Sequence, residues 1–239
     1  MSTRSSVQPA ISVPRYALGG PSTRGSEQLR TTNGGRRTTK ESAVERANFL
    51  MVGVGGQGIV TASDILANIG LRAGYDVKKS EVHGMAQRGG AVSSHVRFGP
   101  VVHAPLIARG EVDYLVAFEL LESLRWAHFL NPQGVALVNR QRLPPLAVTS
   151  GGAHYPEGEE VGRELSRRAR RVYLIDGLRI AQEMGNVRAV GTVLLGALSV
   201  LLPISTSLWE EVIAERVPPR HIEVNRKAFQ AGRSQVRAE

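Results

Sequence analysis

The sequence contains no cysteine among its 239 residues. Disulfides, a cysteine nucleophile, a cysteine-type zinc site and an iron–sulfur cluster bound by thiolates are therefore excluded on this chain. Long hydrophobic runs are also missing, because no stretch reaches the roughly 18 apolar residues of a membrane-spanning helix. The most apolar stretch, residues 189–203, ends at Pro203. We expect this stretch to form a helix buried inside the protein, and we expect no membrane association.

Aromatic residues are scarce, at 5% of the chain, although the formal net charge is +9. Residues 1–46 contain eight basic and three acidic residues, which leaves 22 basic and 18 acidic residues for the rest of the chain. A surface that binds nucleic acid needs a basic face with interleaved aromatic side chains. We therefore expect no nucleic-acid partner.

Residues 1–46 are rich in serine, threonine, glycine and arginine and show little apolar periodicity. Such a segment cannot bury enough apolar surface to offset the entropy of ordering it. We predict a disordered basic tail over residues 1–46 and one folded domain over residues 47–239. An arginine-rich transit peptide is an alternative interpretation of the tail. An apolar secretory signal is not seen near the start, so we expect a cytoplasmic protein.

The order of apolar segments predicts an α/β fold. Residues 48–58, NFLMVGVGGQG, indicate a strand that ends in a glycine turn, and apolar residues at helical spacing follow from Ile59. Further strands are predicted at residues 75–82, 91–99, 112–118, 134–140 and 170–177. Strands that alternate with helices favour a doubly wound, mainly parallel, Rossmann-like sheet with helices on both faces. The last part of the chain is predicted to form C-terminal helices.

In such sheets, ligands meet the carboxyl ends of the strands. The first strand ends in a Gly-x-Gly-x-x-Gly pattern, and the residues of this turn are Gly53, Gly55, Gly56, Gln57 and Gly58. The pattern suits the approach of an anion to the helix that follows. Glu81 follows Gly58 by 23 residues, which is the spacing of the acid that binds ribose in dinucleotide-binding proteins. A stand-alone NAD(P)-binding protein is therefore one alternative.

The stretch SEVHGMAQRGG, residues 80–90, is too rich in glycine for a helix and too polar for a core strand. Its glycines permit close approach of the backbone, and Arg88 can bind a phosphate or a carboxylate in a bidentate manner. The candidate contact residues are Glu81, His83, Gly84, Met85, Gln87, Arg88, Gly89 and Gly90. We identify no acid–base catalyst among them, and the histidines lack the spacing of metal ligands.

Five motifs occur in order: GVGGQG, SEVHGMAQRGG, SHVRFG, VDYLVAFE and VLLGALS. Over residues 48–202 the chain therefore resembles the gamma domain of the 2-oxoacid:ferredoxin oxidoreductases, and most closely the beta subunits of the indolepyruvate-type enzymes. The glycine turn at residues 53–58 and the stretch at residues 81–90 both match motifs of this family. Within the tail and after Leu202 no further motif is matched.

The resemblance implies a subunit of an oxidoreductase that converts a 2-oxoacid to an acyl-coenzyme A and CO2. It also implies a catalytic alpha subunit as partner, which carries thiamine diphosphate and iron–sulfur clusters and passes electrons to ferredoxin. Loop 83–90 would contact the partner, coenzyme A or the active site. Indolepyruvate, other arylpyruvates and branched-chain 2-oxoacids all remain open as substrates. A scaffold that keeps the fold without turnover is a further alternative.

Overall fold

The computed structural model describes residues 46–83, 90–151 and 154–237. Six strands in these ranges form a single sheet in the order β2-β3-β1-β4-β5-β6. The strands are β1 (Ala47–Val54), β2 (Asp76–His83), β3 (Ala91–Gly99), β4 (Val112–Ala117), β5 (Leu130–Asn139) and β6 (Arg171–Ile175). The predicted tail over residues 1–46 lies almost wholly outside the described ranges and stays a prediction.

The sheet is mixed, with a larger parallel part. Strands β1, β4, β5 and β6 are parallel neighbours, whereas β3 is antiparallel to both β1 and β2. Strand β2 therefore runs in the same direction as β1, although β3 separates them. The carboxyl ends of β1, β2, β4, β5 and β6 consequently meet at one edge of the sheet, which we call the rim.

Helices cover both faces of the sheet. They are α1 (Ile59–Arg72), α2 (Leu120–Trp126), α3 (Leu146–Thr149), α4 (Gly158–Ser166), α5 (Gly177–Glu183), α6 (Val190–Ser199), α7 (Thr206–Arg216) and α8 (Ile222–Arg233). Three short 3-10 turns accompany them, at Ala127–Phe129, Val187–Ala189 and Pro219–His221. None of the helices in the described ranges combines the length and apolar character needed to cross a bilayer.

Strand β1 supplies the centre of two separate hydrophobic cores. Phe49 and Met51 face the core that contains α1, α6, α7 and α8, while Leu50 and Val52 face the core that contains α2 and α4. All four side chains are fully buried. Because successive residues of a strand point to opposite faces, a continuous apolar run is the expected sequence of a strand covered on both sides. Burial of each such side chain stabilises the fold by roughly 1.5–3 kcal/mol.

The predicted α/β fold is confirmed, and the strand bounds agree with prediction to within a few residues. The prediction did not include the antiparallel placement of β3, which forms a hairpin with β2. It also lacked helix α4, in which only Val161 and Leu165 mark a buried apolar face. The predicted buried helix is confirmed as α6, and nine of its residues are buried.

Helices α6 and α8 cross in close contact because each carries a glycine at the crossing. A Cβ atom on Gly196 would lie 2.1 Å from the carbonyl oxygen of Phe229, and a Cβ on Gly232 would lie 2.0 Å from that of Val193. Only glycine permits the two backbones to approach this closely. The crossing fixes the last helix of the fold against the most deeply buried one.

Candidate functional site

The glycine turn connects β1 to α1 at the rim. The Gly55 N–H donates to the carbonyl oxygen of Gly90 at 2.8 Å, so the turn is joined to the start of β3. Gly56 and Gly58 adopt positive φ angles of 103° and 85°, which favour glycine. Gly58 is the N-cap of α1 and provides no side chain to cap it.

Gln57 turns its side chain back onto the sheet. Its Oε1 accepts a hydrogen bond from the Val54 N–H at 2.8 Å, and its Nε2 donates to the Phe118 carbonyl at 2.9 Å and to Gln141 Oε1 at 3.0 Å. Gly53 leaves room for this amide, because a Cβ there would lie 2.7 Å from Gln57 Oε1. Gln57 therefore braces the ends of β1, β4 and β5 against one another.

Asn139 extends this amide network to the last strand. Its fully buried side chain donates from Nδ2 to the Phe118 carbonyl at 3.0 Å and accepts at Oδ1 from the Gly177 N–H at 3.0 Å. The strand ends of β4, β5 and β6 are thus joined by neutral groups. Buried amides whose hydrogen bonds are satisfied can hold strand ends together without the desolvation cost of a buried charge.

Glu119 is a buried carboxylate immediately after β4. One oxygen accepts from the Glu122 N–H at 2.8 Å and so caps α2, and the other accepts from the Leu143 N–H at 3.1 Å and from the Tyr155 hydroxyl. Burial raises the pKa of Glu119, against the effect of the backbone hydrogen bonds, which lower it. The carboxylate thereby fastens both ends of the β5–α4 connection, residues 140–157, to the rim.

Arg142 also stabilises the β5–α4 connection. Its guanidinium lies 4.9 Å from the centre of the Tyr155 ring and pairs with Glu157 at 2.9 Å. Gln141, Glu119 and Tyr155 were not among the predicted site residues. Glu119 is the last residue of the VDYLVAFE motif, and no local pattern links it to Tyr155, 36 residues later.

The loop predicted to carry contacts begins and ends beside the glycine turn. In the sheet register, Val92 of β3 pairs with His83 of β2 on one side and with Gly53 of β1 on the other. Gly90 is described, and its carbonyl receives the bond from Gly55. The remaining predicted loop residues, Gly84, Met85, Gln87, Arg88 and Gly89, lie outside the described residues, as does the side chain of His83.

Glu81 does not lie where a dinucleotide-binding acid would. In the Rossmann order the second strand lies beside the first, whereas here β3 separates β2 from β1. Glu81 instead forms an ion pair with Lys79, which also pairs with Asp64 of α1. The sequence spacing of Glu81 from the glycine turn is therefore coincidental, and the NAD(P)-binding alternative loses its main support.

His95 is the buried histidine of β3, and its role is structural. Its Nδ1 accepts from the Ile107 N–H at 3.2 Å, and its side chain is 4% exposed. Burial, together with the nearby charge of Arg97, lowers its pKa to about 4, so the ring is neutral near pH 7. Across the described ranges, no group of three or more His, Asp and Glu side chains is arranged to hold a metal ion.

Comparison with known proteins gives a consistent family. The model of the pyruvate ferredoxin/flavodoxin oxidoreductase family matches residues 48–235. The chain is 40% identical to the indolepyruvate oxidoreductase subunit IorB of Pyrococcus horikoshii, over 77% of this chain and 93% of that protein. It is 41% identical to the subunit of the same name from Archaeoglobus fulgidus, over 80% of this chain and 96% of that one.

The fold is also similar to that of a solved structure. The gamma subunit of a keto/oxoacid ferredoxin oxidoreductase from Geobacter sulfurreducens superposes with a TM-score of 0.59 at 25% identity. The match covers 79% of this chain and 97% of that subunit. The similarity thus extends over nearly the whole length of a separate subunit.

Proposed function

Because the chain belongs to the pyruvate ferredoxin/flavodoxin oxidoreductase family, we propose that it is the subunit without iron–sulfur clusters of an indolepyruvate-type 2-oxoacid:ferredoxin oxidoreductase. The complex would decarboxylate indolepyruvate or another arylpyruvate to the acyl-coenzyme A and CO2, and pass the electrons to ferredoxin in the cytoplasm. The observation that carries the proposal is the identity of about 40% over almost the full length of proteins named as this subunit.

The amino-acid composition supports a complex in which another subunit binds the iron–sulfur clusters. The chain has no cysteine and therefore cannot bind a cluster through thiolates. In the proposal, the partner alpha subunit holds thiamine diphosphate and the clusters, and this chain completes the complex. The rim, with its glycine turn and the loop after β2, is the part of this chain that would face the partner.

The experiment is an anaerobic affinity purification of the tagged full-length chain from its native host. A brown eluate that reduces a viologen dye with an arylpyruvate, and only when coenzyme A is added, would support the proposal. Branched-chain 2-oxoacids and pyruvate are the comparison substrates. A colourless chain that elutes alone, or with a bound nucleotide, would contradict it.

Within this function, Arg88 is the residue to which we assign an anion contact at the rim. A guanidinium can bind a phosphate of coenzyme A or a carboxylate in a bidentate manner, which a lysine cannot reproduce. In the assembled complex, we expect Arg88→Ala to lower kcat/KM for coenzyme A by about 10- to 100-fold, with Arg88→Lys restoring only part of it. The measurement is steady-state kinetics at varied coenzyme A. Unchanged turnover in a complex that forms normally would exclude this role.

A further inference from the structure

One short segment of the predicted domain has a high density of positive charge. Residues 163–171 contain five arginines and a single acid, and we call them the arginine segment. Without this segment, the 22 basic and 18 acidic residues of residues 47–239 become 17 of each. The charges of the rest of the domain therefore sum to zero.

The arginine segment is exposed where its charge can act. Val161 and Leu165 turn inward from α4, whereas Arg163, Arg167 and Arg168 are exposed. Arg167 pairs with Glu164 at 2.5 Å, with 72% of its side chain accessible to solvent. An ion pair this exposed contributes little to stability, so the charge of Arg167 is not there to hold the fold.

The segment lies at the amino ends of β5 and β6, opposite the rim. Arg171 begins β6 and pairs with Val135 in the register, while the Arg170 N–H donates to the carbonyl of Gly134 at 2.9 Å. None of the large hydrophobic side chains exposed in the described ranges lies within it. It is thus a charged surface rather than an apolar one.

We propose that the arginine segment is a docking surface for an acidic face of the cluster-bearing partner subunit, an inference that rests on the proposed function. Guanidinium groups pair with carboxylates through two parallel hydrogen bonds and are enriched at protein interfaces. Such a surface steers association through its long-range field. It captures the partner at the edge opposite the rim, and the partner extends from there to the rim.

Two other occupants fit less well. Nucleic acid would need aromatic side chains among the arginines, and residues 163–171 contain none. A ferredoxin must dock close to an iron–sulfur cluster, and this chain has no cysteine to hold one. The partner subunit can cover both edges, because β6 is only about 16 Å long and a standard interface is roughly 30 Å across.

The test compares two triple variants of the full-length chain. The segment variant carries Arg163→Gln, Arg167→Gln and Arg168→Gln. The matched control carries Arg216→Gln, Arg220→Gln and Arg226→Gln, which are also exposed and remove the same charge. Each variant also loses one ion pair within a helical turn, Arg167–Glu164 in the segment variant and Arg226–Glu223 in the control. Equal melting temperatures establish that both variants fold.

Association rates with the purified partner subunit are then measured anaerobically at about 20 mM and about 300 mM salt. We expect the segment variant to associate about tenfold more slowly at low salt and to lose most of its salt dependence, with the control like the unmodified chain. Equal rates for the two variants would overturn the inference, as would association of the unmodified chain that salt does not alter. If the unmodified chain does not bind the partner at all, it is the proposed function that fails.

Discussion

Neutral amides, not charges, hold the strand ends together at the rim. Gln57 and Asn139 both donate to the carbonyl of Phe118, the residue that follows β4. The carboxylate among these groups, Glu119, caps helix α2 and binds the backbone of Leu143 in the β5–α4 connection. At the residue scale, the described part of the rim is a rigid frame. The residues predicted to meet a substrate or cofactor belong to loop 83–90, most of which lies outside the described residues.

His95 predicts a pH dependence of stability. Its pKa is about 4 in the folded protein, against the ordinary 6.5. The unfolded chain therefore binds a proton between these values that the folded chain does not, so His95 favours unfolding as pH falls from about 6.5 towards 4. We expect a loss of up to about 3 kcal/mol in the free energy of unfolding from this group.

The measurement for His95 is urea unfolding at several pH values, with His95→Gln as the control that cannot titrate. The stability of the unmodified protein relative to this variant should decline as the solution becomes more acidic. Parallel pH profiles for the two proteins would show that His95 is not the source of the effect. Comparing the two proteins removes the contributions of the other titrating groups, which both share.

Tyr155 provides a second test at this scale. Tyr155→Phe removes the hydroxyl that donates to Glu119 and leaves the carboxylate with its two backbone donors. We expect a loss of about 1 kcal/mol in stability and faster protease cleavage within residues 144–154. Tyr173→Phe is the control, because its hydroxyl accepts only a long hydrogen bond of 3.4 Å from Arg171. Cleavage as slow as in the control would show that the hydroxyl does not fasten the connection.

At the scale of elements, the crossing of α6 and α8 predicts opposite effects for alanine substitutions at two glycines of α6. Gly196→Ala places a methyl group against the backbone of α8, and we expect it to destabilise the protein by about 3 kcal/mol or more. Gly191→Ala, in the same helix, meets only ordinary contacts at 3.4 Å or more, and should be neutral or stabilising by up to about 1 kcal/mol. Thermal unfolding of both variants tests this. Equal melting temperatures for the two variants would show that α6 and α8 can move apart without loss of stability.

The strands and helices themselves were largely predictable from the sequence, whereas the order in which the strands pair in the sheet was not. The continuous apolar run of residues 49–52 and the alternation over residues 91–99 identify two strands locally. That β3 inserts antiparallel between β2 and β1 depends on its pairing with β1, whose partner residues are 37 to 51 positions away in the chain, and no local pattern encodes this pairing. For the same reason the sequence indicated only that Gln57 belongs to the glycine turn, and not that its amide is bound to Phe118 and Gln141, 61 and 84 residues away.

For the whole molecule, we predict that the folded unit does not need the first 45 residues. The first strand begins at Ala47, and its start is held by residues of the domain itself, since the Asn48 N–H donates to Asp113 at 2.8 Å. A shortened chain that begins at Arg46 should melt within about 2 °C of the full chain and associate equally with its partner. Calorimetry and the association assay measure both. A clear drop in melting temperature would assign the tail a structural role.

The central position of β1 has a consequence for how the protein is made. This strand is synthesised before its neighbours β3 and β4, whose pairing residues follow it by 37 to 65 positions in the chain. At a synthesis rate of about 5–20 residues per second, a continuous apolar strand waits several seconds at the ribosome for its partners. The segment most essential to both cores is therefore also the most exposed to misassociation during translation, and it is where a chaperone would find its first binding site on the nascent domain.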